Sequence, residues 1–200
     1  MAMNWFYSKK RIVSQKNKEI LVRRTWGVWE VTVDGCGETT EYTRAMWKEA
    51  FGKVNSPAQV RSILMLGLAA GGQIKTLHKR FPRCEITAVE FDEEMLQLAR
   101  ELALHKPYSF PHVVFGDARD VVLTLQETFD LIIVDLFVGE EPPFFVTEPA
   151  YIATLRSKLS EGGRILVNVY LHPDYLAPWK EAFSGHIQWK FRLNHLGLFW

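Results

Sequence analysis

Three acidic residues each close an apolar run: Glu90 after "CEITAV", Asp117 after "HVVFG" and Asp135 after "DLIIV". Runs of this kind read as strands buried on both faces. If the strands lie parallel, all three carboxylates emerge at one edge of the sheet. A fourth run, "SILML", ends in a loop poor in bulk, made of Gly67, Leu68, Ala69, Ala70, Gly71 and Gly72. Main chain there can approach a ligand closely and point N–H groups at it. Acceptors beside donors suit a ligand bearing hydroxyl and amino groups. A carboxylate about 20 residues past such glycines suits the two hydroxyls of a ribose, which places Glu90 there. Asp117, beside the small Ala118, can accept from an adenine amino group, and Asp135 then faces the reactive end of the ligand. Any one of these acids could instead cap a helix, a common task for an aspartate between strand and helix. Capping is a poor account of all three together.

A dinucleotide fingerprint requires G-x-G-x-x-G. The corresponding positions are Gly67, Ala69 and Gly72, so the middle glycine is missing. That is where backbone comes closest to a pyrophosphate, and a Cβ obstructs it. A ligand without phosphate fits better. S-adenosylmethionine is one, with adenine, ribose and a sulfonium carrying an amino-acid tail.

The elements that must position these residues follow from residue 62 onward. "SILMLG", "CEITAVE", "HVVFGD", "DLIIVDLF" and "RILVNVY" read as strands. They alternate with helices in "GGQIKTLHKRF", "DEEMLQLARELAL", "ARDVVLTL" and "EPAYIATLRSKLS", the last ended by Gly162 and Gly163. A last helix, "LAPWKEAFSG", a last strand, "IQWKFRL", and the start of one more, "GLFW", complete the chain. Before them, "RIVSQ", "EILVRRT" and "GVWEVTVDG" alternate as extended segments, with "DG" as a turn. "TEYTRAMWKEAFGKV" has helical spacing that puts Tyr42, Met46 and Ala50 on one face. The fold class is therefore α/β: a doubly wound, mostly parallel Rossmann-like sheet behind a small N-terminal β segment. Residues 1–52 form the N-terminal strands and helix, and residues 53–200 the nucleoside-binding domain.

Composition narrows the partners. Lys+Arg 24 against Asp+Glu 23 gives a net charge of +1, without the basic excess of a dedicated nucleic-acid binder. The basic residues of the first 35 read as solvated strand faces, or as a contact surface for an acidic partner. Cys36 and Cys84 form no metal pattern and read as reduced thiols of a cytoplasmic protein. No apolar stretch approaches the roughly 20 residues that span a bilayer, and "MAMNWFYSKKR" lacks an apolar signal core.

From about Val33 to Tyr170 the chain resembles the spermidine synthases and their relatives among the S-adenosylmethionine-dependent methyltransferases. "LGLAAGG" is similar to the family's glycine loop G-G-G-D-G-G, which implicates Gly67, Leu68, Ala69, Gly71 and Gly72 in cofactor binding. "AVEFDEEML" resembles its ribose-binding strand end, implicating Glu90 and Phe91, and "VVFGDARD" its adenine-binding segment, implicating Asp117 and Ala118. "DLIIVDLF" resembles the strand that ends in the catalytic aspartate, here Asp135, and "FVTEPAY" the helix start L-F-T-x-E-F-Y. "VDGCGETTE" resembles the segment ahead of a Tyr-His pair, so that Glu38 and Trp47 fall on substrate-side positions.

The departures concern the amine side. The resemblance calls for acids at Ala70, Val138, Thr43 and Arg44, and for Tyr-His at Trp47 and Lys48. An acid at residue 70 would select decarboxylated S-adenosylmethionine by repelling the tail carboxylate of the ordinary donor. Its absence favours ordinary S-adenosylmethionine and methyl transfer to a small-molecule acceptor. The alternatives are a divergent aminopropyltransferase, which would leave methylthioadenosine, and a non-catalytic nucleoside-binding protein. No metal is expected, and a homodimer stays open. "FVGEEPPFF" reads as a gate loop, mobile when empty. Its "PPFF" starts too far past Asp135 to be the D/N-P-P-Y/F of amino-group methyltransferases.

Overall fold

The computed structural model describes residues 7–56 and 58–200. The first six residues, read above for a signal core, lie outside the described residues. Four strands form an antiparallel sheet in chain order: β1 (Tyr7–Ile12), β2 (Ile20–Thr25), β3 (Val28–Val33) and β4 (Cys36–Thr39). Two tight turns join them. Trp26 and Gly27, then Asp34 and Gly35, all have positive φ, between 49° and 92°, the conformation that matches the twist of a two-residue hairpin. The strand expected over "RIVSQ" begins earlier, at Tyr7, and stops at Ile12. Beyond it the Ser14 hydroxyl accepts the N–H groups of Lys16 and Asn17, and the side chains of Ser14 and Asn17 bond Asp92. That local turn competes with further pairing.

Helix α1 (Glu41–Gly52) starts on a capping box between Thr40 and Thr43. It buries Met46, Trp47, Ala50 and Phe51, while Tyr42 turns aside and donates its hydroxyl to Phe191 O at 3.0 Å. The second sheet has seven strands: β5 (Ser62–Leu66), β6 (Glu85–Glu90), β7 (His112–Phe115), β8 (Phe129–Val134), β9 (Leu159–Tyr170), β10 (His186–Phe191) and β11 (Asn194–Phe199). Their order is β10-β11-β9-β8-β5-β6-β7. The first five run parallel, and β10 and β11 are antiparallel additions at one edge. The order reverses at β5, between β6 and β8, where open α/β sheets keep their ligand crevice.

Helices cover both faces. On one, α1, α2 (Ile74–Arg80) and part of α3 (Glu93–Leu102) pack around Ile63, Met65 and Leu131. On the other, α4 (Ala118–Thr124), α5 (Pro149–Ser157) and α6 (Ala177–Ala182) pack around Leu64, Leu66 and Ile132. A third core seats the N-terminal sheet on α3, through Ile20, Val22, Val31 and Val33 against Met95 and Leu98.

One helix end differs from expectation. Gly162 and Gly163 do not end α5, which stops at Ser157; both lie inside β9. Phe129 donates its N–H to Lys158 O, and the β8–β9 register then shifts between Phe129 and Leu131. Gly162, at φ 73°, supplies the kink, and a Cβ on Gly163 would stand 2.9 Å from two carbonyl oxygens. The glycines are a bulge in a strand. The final strand also begins earlier than "GLFW", at Asn194.

Candidate active site

The glycine loop follows β5, and its lack of bulk answers mainly to the protein itself. Gly67 has φ +92°, and a Cβ there would lie 2.2 Å from the carbonyl oxygen of Asp135. A Cβ on Gly72 would lie 2.6 Å from Thr39 Oγ1. Gly67 and Ala69 face the crevice. Leu68, Gly71 and Gly72 do not line it: Leu68 is core, and the two glycines pack against α3 and β4. Ala70 is also buried, against Met95, Leu98 and the N-terminal sheet. This corrects the expectation that residue 70 stands beside the donor's tail; an acid there would enter an apolar core.

Glu90 ends β6 at the crevice wall, 5% exposed. Its Oε2 accepts the N–H groups of Leu68 and Ala69, and its Oε1 those of Phe91 and Asp92, at 2.8–3.1 Å. Burial pushes its carboxyl up, opposed by the N–H groups of Asp92, Ala69 and Phe91. Glu90 thus holds the glycine loop to the end of β6, a task with no signature in the local sequence. Asp117 caps α4 through Arg119 N at 2.8 Å and lines the same crevice beside Ala118 and Phe91. The crevice holds about 750 Å³, open mouth included. Among the described residues its lining carries Glu38, Glu90, Asp92, Asp117 and Asp135, and no lysine or arginine.

A second chamber, about 980 Å³ with its mouth, lies between β4, α1 and the β10–β11 turn. Glu38, Asp135, Phe137 and Gly139 line both spaces, so the two meet there. Trp47 lines the second chamber. Lys48, also on α1, is exposed and lines neither, so it brings no positive charge to the chamber. The loop over residues 137–145 walls both spaces. Within it Glu140 lines the second chamber and accepts from Cys36 Sγ at 2.9 Å, whereas Glu141 pairs with His172 at 2.7 Å.

Asp135 sits at the junction with both oxygens engaged. Oδ1 accepts from Asn168 Nδ2 at 2.9 Å and Oδ2 from Gln73 Nε2 at 3.0 Å. The chain continues outward: Asn194 Nδ2 donates to Asn168 Oδ1 at 2.9 Å, and the Tyr42 hydroxyl donates to Asn194 Oδ1. Sequence reasoning missed Gln73, Asn168 and Asn194. The signal available was a polar residue inside the apolar run "RILVNVY". Burial pushes the Asp135 carboxyl up to about 6, the two amide donors pulling the other way. Glu38 is pushed up to about 8, first by burial, then by Asp135 and Glu90. Burial, followed by Glu140, Glu38 and Asp34, pushes the Cys36 thiol up to about 12. The junction is an electronegative place that a cation would relieve.

The Glu38 shift has a measurable consequence for stability. Its folded-state value lies above that of an unfolded glutamate, near 4.3. Between the two the folded chain holds a proton that the unfolded chain has lost, so stability falls as pH rises from about 4.5 to 8. Glu38→Gln is expected to raise the melting temperature by roughly 2–6 °C at pH 9, corresponding to about 1–2 kcal/mol, and to change little at pH 5. Equal shifts at both pH values would show that Glu38 is not held in this environment.

With the geometry in place, the relatives define the class: residues 63–163 match the methyltransferase domain family, and the chain belongs to it. Within that class it is spermidine synthase-like. It is 27% identical over 162 residues to a protein of Bifidobacterium longum described as a probable polyamine aminopropyl transferase, covering 81% of this chain and 35% of the relative. The chain thus spans about a third of that relative's length, and 45% of a polyamine aminopropyltransferase of Vibrio vulnificus. In fold it is similar to a probable spermidine synthase from Corynebacterium glutamicum, with TM-score 0.76 and 22% identity over 96% of this chain and 79% of the other. Human methyltransferase-like protein 13, solved in complex with SAH, is similar at TM-score 0.64 and 22% identity, over 79% and 80% of the two chains. Among the described residues no helix is long and apolar enough to cross a membrane.

Proposed function

We propose that the chain transfers the methyl group of S-adenosylmethionine to the amine of a small-molecule acceptor. The observation that carries this reading is the meeting of the two chambers at Glu38 and Asp135. The carboxylate-rich, lysine-free crevice suits a nucleoside with a cationic sulfonium and repels a pyrophosphate. Gly67, Ala69, Glu90, Phe91, Asp117 and Ala118 would hold the adenosine, with ribose hydroxyls taking a share of the Glu90 oxygens from the loop N–H groups. When bound, the donor supplies an electrophilic methyl carbon whose C–S electron pair leaves with sulfur.

The chain's own task is alignment and proton removal. An amine with a lysine-like value near 10.4 carries a proton at pH 7, and freeing its lone pair costs roughly 4–5 kcal/mol. Asp135, held by two amides, would orient the ammonium and take the proton as nitrogen bonds to carbon. Glu38 would lower the cost of bringing the cation into the junction.

A second reading, aminopropyl transfer from decarboxylated S-adenosylmethionine, draws support from Glu38 and Glu140. Both are chamber-lining acids that could stand in for those missing at Val138, Thr43 and Arg44. Mass spectrometry of the products separates the readings: S-adenosylhomocysteine for methyl transfer, methylthioadenosine for aminopropyl transfer, neither for a non-catalytic binder. Glu90→Ala is expected to weaken S-adenosylmethionine by about 1.5–3 kcal/mol in calorimetry, the size of hydrogen bonds to a charged group. Unchanged affinity would remove Glu90 from the nucleoside site.

A further inference from the structure

We propose that the acceptor is dipolar: an amine and a carboxylate held apart by an apolar spacer, an amino-acid-like molecule rather than a polyamine. The inference rests on the second chamber being the acceptor site. Its two ends carry opposite charge. At the inner end stand Asp135 and Glu38; at the outer end, on the turn between β10 and β11, stands Arg192, and Glu140 lies exposed beside Cys36. Arg192 is the lone cation lining the chamber and makes no ion pair with a carboxylate, both among the described residues.

Arg192 is also held in place. Its guanidinium lies over the Tyr42 ring, 5.4 Å from the centroid, and Tyr42 is anchored through its hydroxyl to Phe191 O and Asn194. A fork pinned on a ring is prepared for a planar, two-oxygen anion. Asp135 follows β8 and Arg192 precedes β11, with β9 between them. Two strand spacings across the sheet and about four residues along it separate the backbones of Asp135 and Arg192, a gap that the long Arg192 side chain shortens. Met46, Trp47 and Phe137 line the space between and suit an uncharged spacer. A diamine of that length would set its second ammonium beside Arg192, where like charges repel.

The test is calorimetry on the full chain saturated with S-adenosylhomocysteine, titrated with δ-aminovalerate and with cadaverine, a diamine of similar length. The wild-type protein is expected to bind δ-aminovalerate at least about threefold more tightly, the scale of a partly exposed charge pair, with the gap closing at high salt. Arg192→Gln should abolish the preference, and Arg192→Glu should reverse it. Preference for cadaverine by the wild-type protein, no binding of either amine, or an order indifferent to residue 192 would each overturn the dipolar acceptor. Failure to bind S-adenosylhomocysteine would instead overturn the transferase reading itself.

Discussion

Asp135→Asn is expected to lower turnover by about 10²–10⁴-fold, the usual contribution of a positioned acid–base group, while nucleoside affinity changes little. Both Asp135 oxygens accept from amide nitrogens. An asparagine there must present its own NH₂ to one of those donors, so either Asn168 or Gln73 has to turn over or lose its partner. The variant therefore loses charge, basicity and alignment together. It removes no carboxylate that the protein pairs with a cation, so the fold should survive, and circular dichroism can check this. The pH profile supplies a second readout. With Asp135 near 6 and Glu38 near 8, kcat/KM of the wild-type protein should rise from pH 5 to 8 as the junction ionises. The variant should lose the lower limb, the part that follows Asp135. Near wild-type turnover in Asp135→Asn would dismiss it as the base.

Gly67→Ala is expected to cost about 3–5 kcal/mol of stability, near the upper end for a single substitution. Two effects add. The backbone at φ +92° is strained for any residue with a Cβ. The new atom would also stand 2.2 Å from the Asp135 carbonyl oxygen, which is main chain and cannot rotate away. The ends of β5 and β8 would have to separate, and Asp135 would move with them. Gly27→Ala is the control: φ is +81° there, and nothing lies within 4 Å of the added Cβ. It should cost only about 1–2 kcal/mol. Urea denaturation of the two variants measures the difference. Equal losses would mean that contact with Asp135 has no part in the need for glycine at residue 67.

Some misreadings show where local rules were overridden. Gly162 and Gly163 carry a helix-stop signal after an amphipathic run. Pairing of Leu159 with Phe129 drew the segment into β9 and turned the signal into a bulge. Residue 70 looked like a donor-selecting position because the loop resembles a ligand-binding one. Its direction depends on the N-terminal sheet, which closes over the loop and buries the methyl group of Ala70. Glu90, read as a ligand acceptor, also takes two main-chain donors from the folded loop and two from the residues just after β6, which local sequence does not signal.

The sequence alone determined that Glu90, Asp117 and Asp135 gather at one edge beside the glycine loop. The reason is local and repetitive: each apolar strand is followed by a helix that returns the chain, so every parallel strand ends on the same side. The tertiary structure alone decided what the acids do there. Glu38 arrives from the N-terminal sheet, Gln73 from the start of α2, Asn168 from β9 and Arg192 from the last turn. These segments lie far apart in the chain, and no periodicity couples them. Burial and the mutual repulsion of Glu38, Asp135 and Glu90 arise only when those segments meet, and with them the weakened acidity of the carboxyls at the junction.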